Sequence, residues 1–244
     1  MLKHNQIRDL RSKHLGASLR LSYDEPLHIV RGAGQYLFDA DGHQYLDCVN
    51  NIQHVGHCHP RVVAAAHLQH KQLNTNTRYL DETIVSYAQN LTDTLPDGLD
   101  ICFFTNSGSE SNDLALRLAR HFTGSKETIV LDNAYHGHLS SLIEISPYKH
   151  SGPGGSGPSD FVYTVPMPDP FRGKYTGPYC AGDYLQEVQQ AISTIQSKEL
   201  KVSAFVAEAI MGCGGQIFIP QGFLKDAFAL VKKAGGLCIV DEVQ

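Results

Sequence analysis

Three runs constrain the fold of this chain most: Glu127-Thr128-Ile129-Val130-Leu131, Ser203-Ala204-Phe205-Val206-Ala207-Glu208 and Leu237-Cys238-Ile239-Val240-Asp241-Glu242. Each is apolar along most of its length rather than alternating. A strand of that kind has to be covered on both faces. Between the runs lie stretches with helical spacing. Leu185, Val188, Ile192 and Ile195 form one face; Leu224, Ala227, Phe228 and Val231 form the next, which ends at Gly235-Gly236. A further strand is expected at Ile101-Cys102-Phe103-Phe104, leading into a helix with Leu114, Ala115, Leu118, Ala119 and Phe122 on its inner face. Strands alternating with helices predict an α/β fold with a mainly parallel sheet flanked by helices. The 244 residues, 42% hydrophobic, suffice for one large domain and a small appendage.

In such sheets ligands bind beyond the carboxyl ends of the strands. The stretch Thr105 to Asp113 is the most informative of these ends. Here a strand turns into a helix through Asn106-Ser107-Gly108-Ser109. The first N–H groups of a helix have no partner inside it, and the helix dipole adds partial positive charge. Gly108 lets the backbone approach a ligand, and Ser107 and Ser109 add hydroxyl donors. The stretch reads as a phosphate cup, or as an ordinary helix start that Ser109 caps, with Asn112 or Asp113 in the first turn. Other strand ends carry Tyr135-His136, Glu208 and Asp241. A phosphate cup, an aromatic face and a strand-end carboxylate are the parts that hold pyridoxal phosphate. Tyr135, or His136 beside it, can lie on the ring. Asp241 can keep the pyridine nitrogen protonated, which makes the ring an electron sink; its plainer role is to cap a loop.

Residues 1–55 read as an N-terminal segment, part of a small domain. Short strands are expected at Ile29-Val30 and at Gln35 to Phe38, with a turn at Asp39-Ala40-Asp41-Gly42 and a returning strand from Tyr45 to Val49. Residues 56–244 read as the cofactor-binding domain. His54-Val55-Gly56-His57-Cys58-His59-Pro60 could suggest zinc, but structural zinc takes two spaced ligand pairs, and no second cluster supplies the rest. A loop whose Pro60 opens a helix is preferred, and no metal is expected. Residues 147–180 gather proline and glycine, with a loop at 151–158.

A net charge of −5 with no basic run argues against a nucleic-acid partner. No apolar run approaches the ~18 residues of a membrane span. The N-terminus is too polar for a secretory signal, and its mildly basic character leaves a mitochondrial address open beside the cytoplasmic expectation. Six cysteines without a C-x-x-C pair suit a reducing compartment.

Asn106-Ser107-Gly108-Ser109-Glu110 with Asn112-Asp113-Leu114-Ala115, Tyr135-His136-Gly137, and Asp241-Glu242-Val243-Gln244 resemble the class III pyridoxal-phosphate-dependent aminotransferase family. Gly56-His57 with His59-Pro60 also matches. The run from Ala134 to Lys149, Arg172-Gly173-Lys174-Tyr175, Cys213 to Ile217 and Leu73-Asn74-Thr75-Asn76 are similar to the subgroup of phospho-lyases acting on ethanolamine phosphate and 5-phosphohydroxy-lysine. The resemblance implies the fold type I of pyridoxal-phosphate transferases and a homodimer. It implies that Gly108 and Ser109 bind the cofactor phosphate and that Tyr135 stacks on the ring, with His136 adjacent. It further implies that Asp241 holds the ring nitrogen, that Gln244 reaches the 3-hydroxyl and that Glu208 lies on the substrate side. Ser111 replaces a usual alanine and Asn133 a usual histidine, neither at a cofactor position. The family's Schiff-base lysine would lie beyond Gln244. No catalytic lysine is therefore expected within these residues, and the chain reads as an N-terminal fragment, incomplete at its C-terminus and inactive alone. The implied reaction removes phosphate and ammonia from a phosphorylated small-molecule amine and leaves an aldehyde. Arg78, Arg172 and Lys174 are candidates for the substrate phosphate, or solvated surface charges. A class III aminotransferase, moving an amino group from an ω-amine or amino acid to a 2-oxo acid, is the near alternative. A non-catalytic zinc-binding module around His54, His57, Cys58 and His59 is the alternative of another class.

Overall fold

The computed structural model describes residues 2–50 and 54–243. Two compact units divide the chain, Met1–Ser86 and Tyr87–Gln244.

The first unit opens with helix α1 (His4–His14). An antiparallel sheet follows, with β1 (Ile29–Ala33), β2 (Tyr36–Asp39) and β3 (Gln44–Leu46) in that spatial order. Gly42, at φ 90°, makes the β2–β3 turn, and Asp39 accepts the N–H groups of Asp41 and His43 across it. Pro60 opens α2 (Pro60–Gln72), and α3 (Glu82–Thr92) crosses the division. The His54–Pro60 loop carries no group of three close metal-ligating atoms; among the described residues that description fits Asp39, Asp41 and His43. His57 Nε2 lies 2.6 Å from the Asp47 carboxylate. Asn50, His57 and Val49 all hydrogen-bond to Asp47 and hold its carboxyl well below the usual range.

In the second unit the elements run α4 (Gly108–Thr123), β4 (Glu127–Leu131), the short helices α5 (Ser140–Ile143) and α6 (Pro147–His150), β5 (Val162–Val165) and α7 (Ala181–Ser197). Then come β6 (Val202–Glu208), the small hairpin of β7 (Ile210–Met211) and β8 (Ile217–Phe218), α8 (Phe223–Lys233) and β9 (Leu237–Asp241). One parallel sheet results, in the order β5-β4-β6-β9. Successive side chains of a strand point to opposite faces. Ile129, Leu131, Phe205 and Ala207 accordingly enter one core with Val188 and Ile192 of α7 and Ala227 and Val231 of α8. Val130, Ala204 and Val206 enter the other core with Leu116 and Ala119 of α4. β4 and β6 are buried along their whole length, which is why they show no polar alternation; β9 is only partly buried, with Val240 40% exposed. Each fully buried Leu, Ile, Val or Phe is worth about 1.5–3 kcal/mol. Among the described residues no helix is long and apolar enough to cross a membrane.

Two expectations need correction. Residues 101–105 form no strand, and Ile101 and Phe103 are 78% and 63% exposed. An apolar run becomes a strand only where neighbours satisfy its backbone and cover its faces; among the described residues no strand pairs with it. The buried stripe of α4 is Ser109, Asn112, Leu116 and Ala119, whereas Leu118 and Phe122 face outward. The sheet-facing side of this helix is thus polar at its N-terminal end, where it reaches the carboxyl rim of the strands.

Candidate active site

The site begins at the start of α4. Ser107 is extended (φ −159°, ψ 158°), and its Oγ accepts the Glu110 N–H at 3.1 Å. The Glu110 carboxylate folds back onto the Asn106 N–H at 2.6 Å. Ser107, not Ser109, is therefore the cap. The N–H groups of Gly108 and Ser109 have no partner among the described residues, as the first turn of a helix leaves them. Ser109 is buried, and its hydroxyl accepts the His138 N–H at 3.2 Å.

Gly137 lets the loop after β4 come this close. Its φ is +134°, and a Cβ there would stand 2.6 Å from both Ser109 Oγ and Leu142 Cδ1. Gly137→Ala is expected to destabilise the protein by about 2–4 kcal/mol, from backbone strain and overpacking together. A shift of the urea midpoint without a change of slope would report it.

The centre of the site is a buried polar network. Asp241, the last residue of β9, accepts from Asn112 Nδ2 at 2.8 Å and from His136 Nδ1 at 3.1 Å, both at Oδ2. Its Oδ1 accepts the Val243 N–H at 3.2 Å. A carboxylate only accepts, so Nδ1 of His136 carries the proton. Asn112 spends its second N–H on the His136 carbonyl at 2.9 Å. Burial on its own raises the Asp241 carboxyl, but the bonds from His136, Asn112 and Val243 outweigh it and hold the group below the usual range. An anion is thus fixed at the rim of the sheet. His136 Nε2 is buried without a partner among the described residues.

Glu208, beside Asp241 in the β6–β9 register, anchors the neighbouring loop. Its Oε1 accepts the Tyr135 N–H at 2.9 Å and its Oε2 the Gly212 N–H at 2.7 Å. Asn133, at φ 61°, turns the chain into this loop in a conformation that asparagine tolerates. The Tyr135 ring is half-buried and meets Tyr148 edge-on, with centroids 5.9 Å apart.

Gly108, Ser109, Tyr135, His136, Glu208 and Asp241 thus gather on one rim. Gln244 lies outside the described residues. Lys174 is bound to Glu187 at 2.7 Å, and the exposed Arg172 lies 5.4 Å from the ring of its neighbour Phe171. Arg78 is exposed in the first unit. Asn112 is the member that sequence reasoning left as a first-turn residue. The signal available was its spacing, three after Ser109 and four before Leu116, on the stripe that proves to be buried.

The residues fit pyridoxal phosphate on the structure's own terms. Two N–H groups without a partner among the described residues open a helix, an aromatic residue sits on the adjoining loop, and a buried carboxylate is held ionised by three donors. A parallel sheet with that rim is the fold of the pyridoxal-phosphate-dependent transferases. A phospholyase from Arthrobacter in complex with phosphoethanolamine superposes with a TM-score of 0.86 at 36% identity, over 96% of this chain and 55% of that one. The family model for class III aminotransferases matches residues 20–244, and the chain belongs to that family. It is 49% identical to an alanine–glyoxylate aminotransferase 2-like protein of Drosophila melanogaster, over 96% of this chain and 49% of the relative. It is 40% identical to an ethanolamine-phosphate phospho-lyase homolog of Caenorhabditis elegans, over 97% of this chain and 55% of the relative. The chain spans about half the length of the curated relatives it matches.

Proposed function

We propose that these residues form the cofactor half of a pyridoxal-phosphate-dependent phospho-lyase, which removes phosphate and ammonia from a phosphorylated amine such as ethanolamine phosphate or 5-phosphohydroxy-lysine. The observation that carries the cofactor reading is the Asn112–His136–Asp241 network, an ionised carboxylate locked in place at the strand ends. When bound, pyridoxal phosphate supplies an electron sink for a carbanion at the carbon that bears the amine. Gly108 and Ser109 would hold its phosphate through their free N–H groups, and Tyr135 would face the ring. Asp241 would keep a proton on the ring nitrogen, and Gln244 would reach the 3-hydroxyl. His136 and Asn112 keep the Asp241 carboxylate charged and oriented. Glu208 takes part by fixing the backbone of Tyr135. In this reading residues 56–244 belong to the cofactor domain and residues 1–55 to a small domain. The protein acts as a homodimer in the cytoplasm, or in mitochondria if the basic N-terminus is an address.

The lyase reading draws on the likeness to the Arthrobacter and Caenorhabditis proteins. The relative in Drosophila, named for an aminotransferase, favours the second reading, transfer of the amino group to a 2-oxo acid. Incubating the full-length holoenzyme with phosphoethanolamine, with and without a 2-oxo acid, separates them. Equimolar inorganic phosphate, ammonia and aldehyde without a 2-oxo acid are expected. Formation of a new amino acid that requires the 2-oxo acid would instead establish the transaminase.

A further inference from the structure

Lys149 is a cation that neither reading has used. Its ammonium lies 5.5 Å from the centroid of the Tyr135 ring and 5.3 Å from that of Tyr148. Its footing is firm although α6 is a single turn. The Tyr148 N–H donates to the Ala134 carbonyl at 3.1 Å, the His136 N–H donates to Ser146 Oγ at 2.9 Å, and Pro147 and His150 are buried. The bonds that fix the Tyr135 loop therefore also fix Lys149. Lys174 already has a carboxylate partner; the ammonium of Lys149 has none within 4 Å among the described residues. An exposed point charge held over an aromatic ring is free to receive an anion.

We propose that Lys149 receives the anionic tail of the amine substrate at the mouth of the site, and so favours a phosphorylated amine over one with a neutral tail. The inference rests on the phospho-lyase reading and adds the residue that reads the substrate's charge. A phosphate monoester carries close to two negative charges at neutral pH, more than a carboxylate offers, so it gains most from this contact.

Cys213 supplies an independent readout. Its thiol is exposed; burial of its surroundings raises its pKa, Glu208 adds to that and Lys149 opposes it. Alkylation of Cys213 by iodoacetamide, followed by peptide mass spectrometry, therefore reports the charge at Lys149. In the native protein inorganic phosphate is expected to slow this alkylation a few-fold by covering the ammonium. In K149M the rate should already be low, and phosphate should change it no further. In the full-length holoenzyme K149M should raise KM for phosphoethanolamine about tenfold or more and leave KM for an amine with a neutral tail in place. K149R should restore most of the loss. An unchanged KM for phosphoethanolamine in K149M would overturn the assignment, as would an equal effect of phosphate on alkylation in both proteins. If native enzyme releases no phosphate, the lyase reading falls, and the alkylation comparison still decides whether Lys149 takes an anion.

Discussion

Asp241→Asn is expected to weaken pyridoxal-phosphate binding about 10²- to 10⁴-fold and to remove turnover in the full-length enzyme. The magnitude follows from breaking a buried charge pair, about 3–5 kcal/mol, at about 1.4 kcal/mol per factor of ten. The substitution keeps the shape and removes the charge, so size plays no part. An amide cannot serve the site as the carboxylate does. Its oxygen can take the place of Oδ2 and accept from Asn112 and His136. Its NH₂ then stands against the Val243 N–H, donor against donor, and in the proposed role it would present hydrogen rather than charge to the ring nitrogen. Absorbance titration with the cofactor measures the first loss, and amine turnover measures the second. The change should also remove an acid-sensitive contribution to stability. Asp241 titrates below its ordinary value in the folded state, so its contribution is full above the unfolded value of about 3.9 and is lost as pH falls through the folded one. The stability gap between native protein and variant should be widest at neutral pH and close in acid. Cofactor affinity within threefold of native would remove Asp241 from the role proposed for it.

Strands β4 and β6 were legible because both of their faces are buried. Val130 and Phe205 enter different cores, so no polar position interrupts either run. Strand β5, Val162–Val165, escaped notice because it is four residues long and lies among prolines and glycines, where composition reads as loop. The run at 101–104 misled in the other direction. Its residues are as apolar as those of β4, but a strand is a property of neighbours as much as of its own side chains, and among the described residues no strand pairs with Ile101 or Phe103, which are largely exposed. The site itself was legible at its strand ends, because Glu208 and Asp241 are charged residues closing apolar runs. Its helix was harder to read. Apolar residues occur on several sides of α4, and spacing alone selects Leu114 and Leu118. The face that turns inward is fixed by long-range polar bonds from Ser109 to His138 and from Asn112 to Asp241, which no local pattern encodes. Lys149 was quoted only as part of a motif, since its position depends on how α6 is tied back to the β4 loop.

The same polar bonds make Asn112 a sensitive position. Its amide gives one N–H to the His136 carbonyl and the other to Asp241, and the residue is buried. Asn112→Ala leaves two buried acceptors short of a donor, a cost of about 1–3 kcal/mol. Asn112→Asp keeps the volume and is expected to be worse, because it points a carboxylate at an existing carboxylate 2.8 Å away and at a carbonyl 2.9 Å away. An uncompensated buried charge costs about 3–5 kcal/mol at neutral pH. The pair can escape by sharing a proton, which raises one of the two carboxyls above its unfolded value. The sign of the pH dependence then inverts. A carboxyl whose folded pKa is raised destabilises the protein as pH climbs from the unfolded value of about 3.9, until the shared proton is lost. Urea midpoints of N112D should therefore fall between pH 4.5 and 7.5, relative to native protein measured under the same conditions. Cofactor affinity should lie below that of native protein while the proton is shared, because a protonated Asp241 would offer the ring nitrogen no charge. A variant whose stability tracks the native curve across that range would show that Asn112 and Asp241 are not coupled, and with that the buried network would lose its part in holding the cofactor.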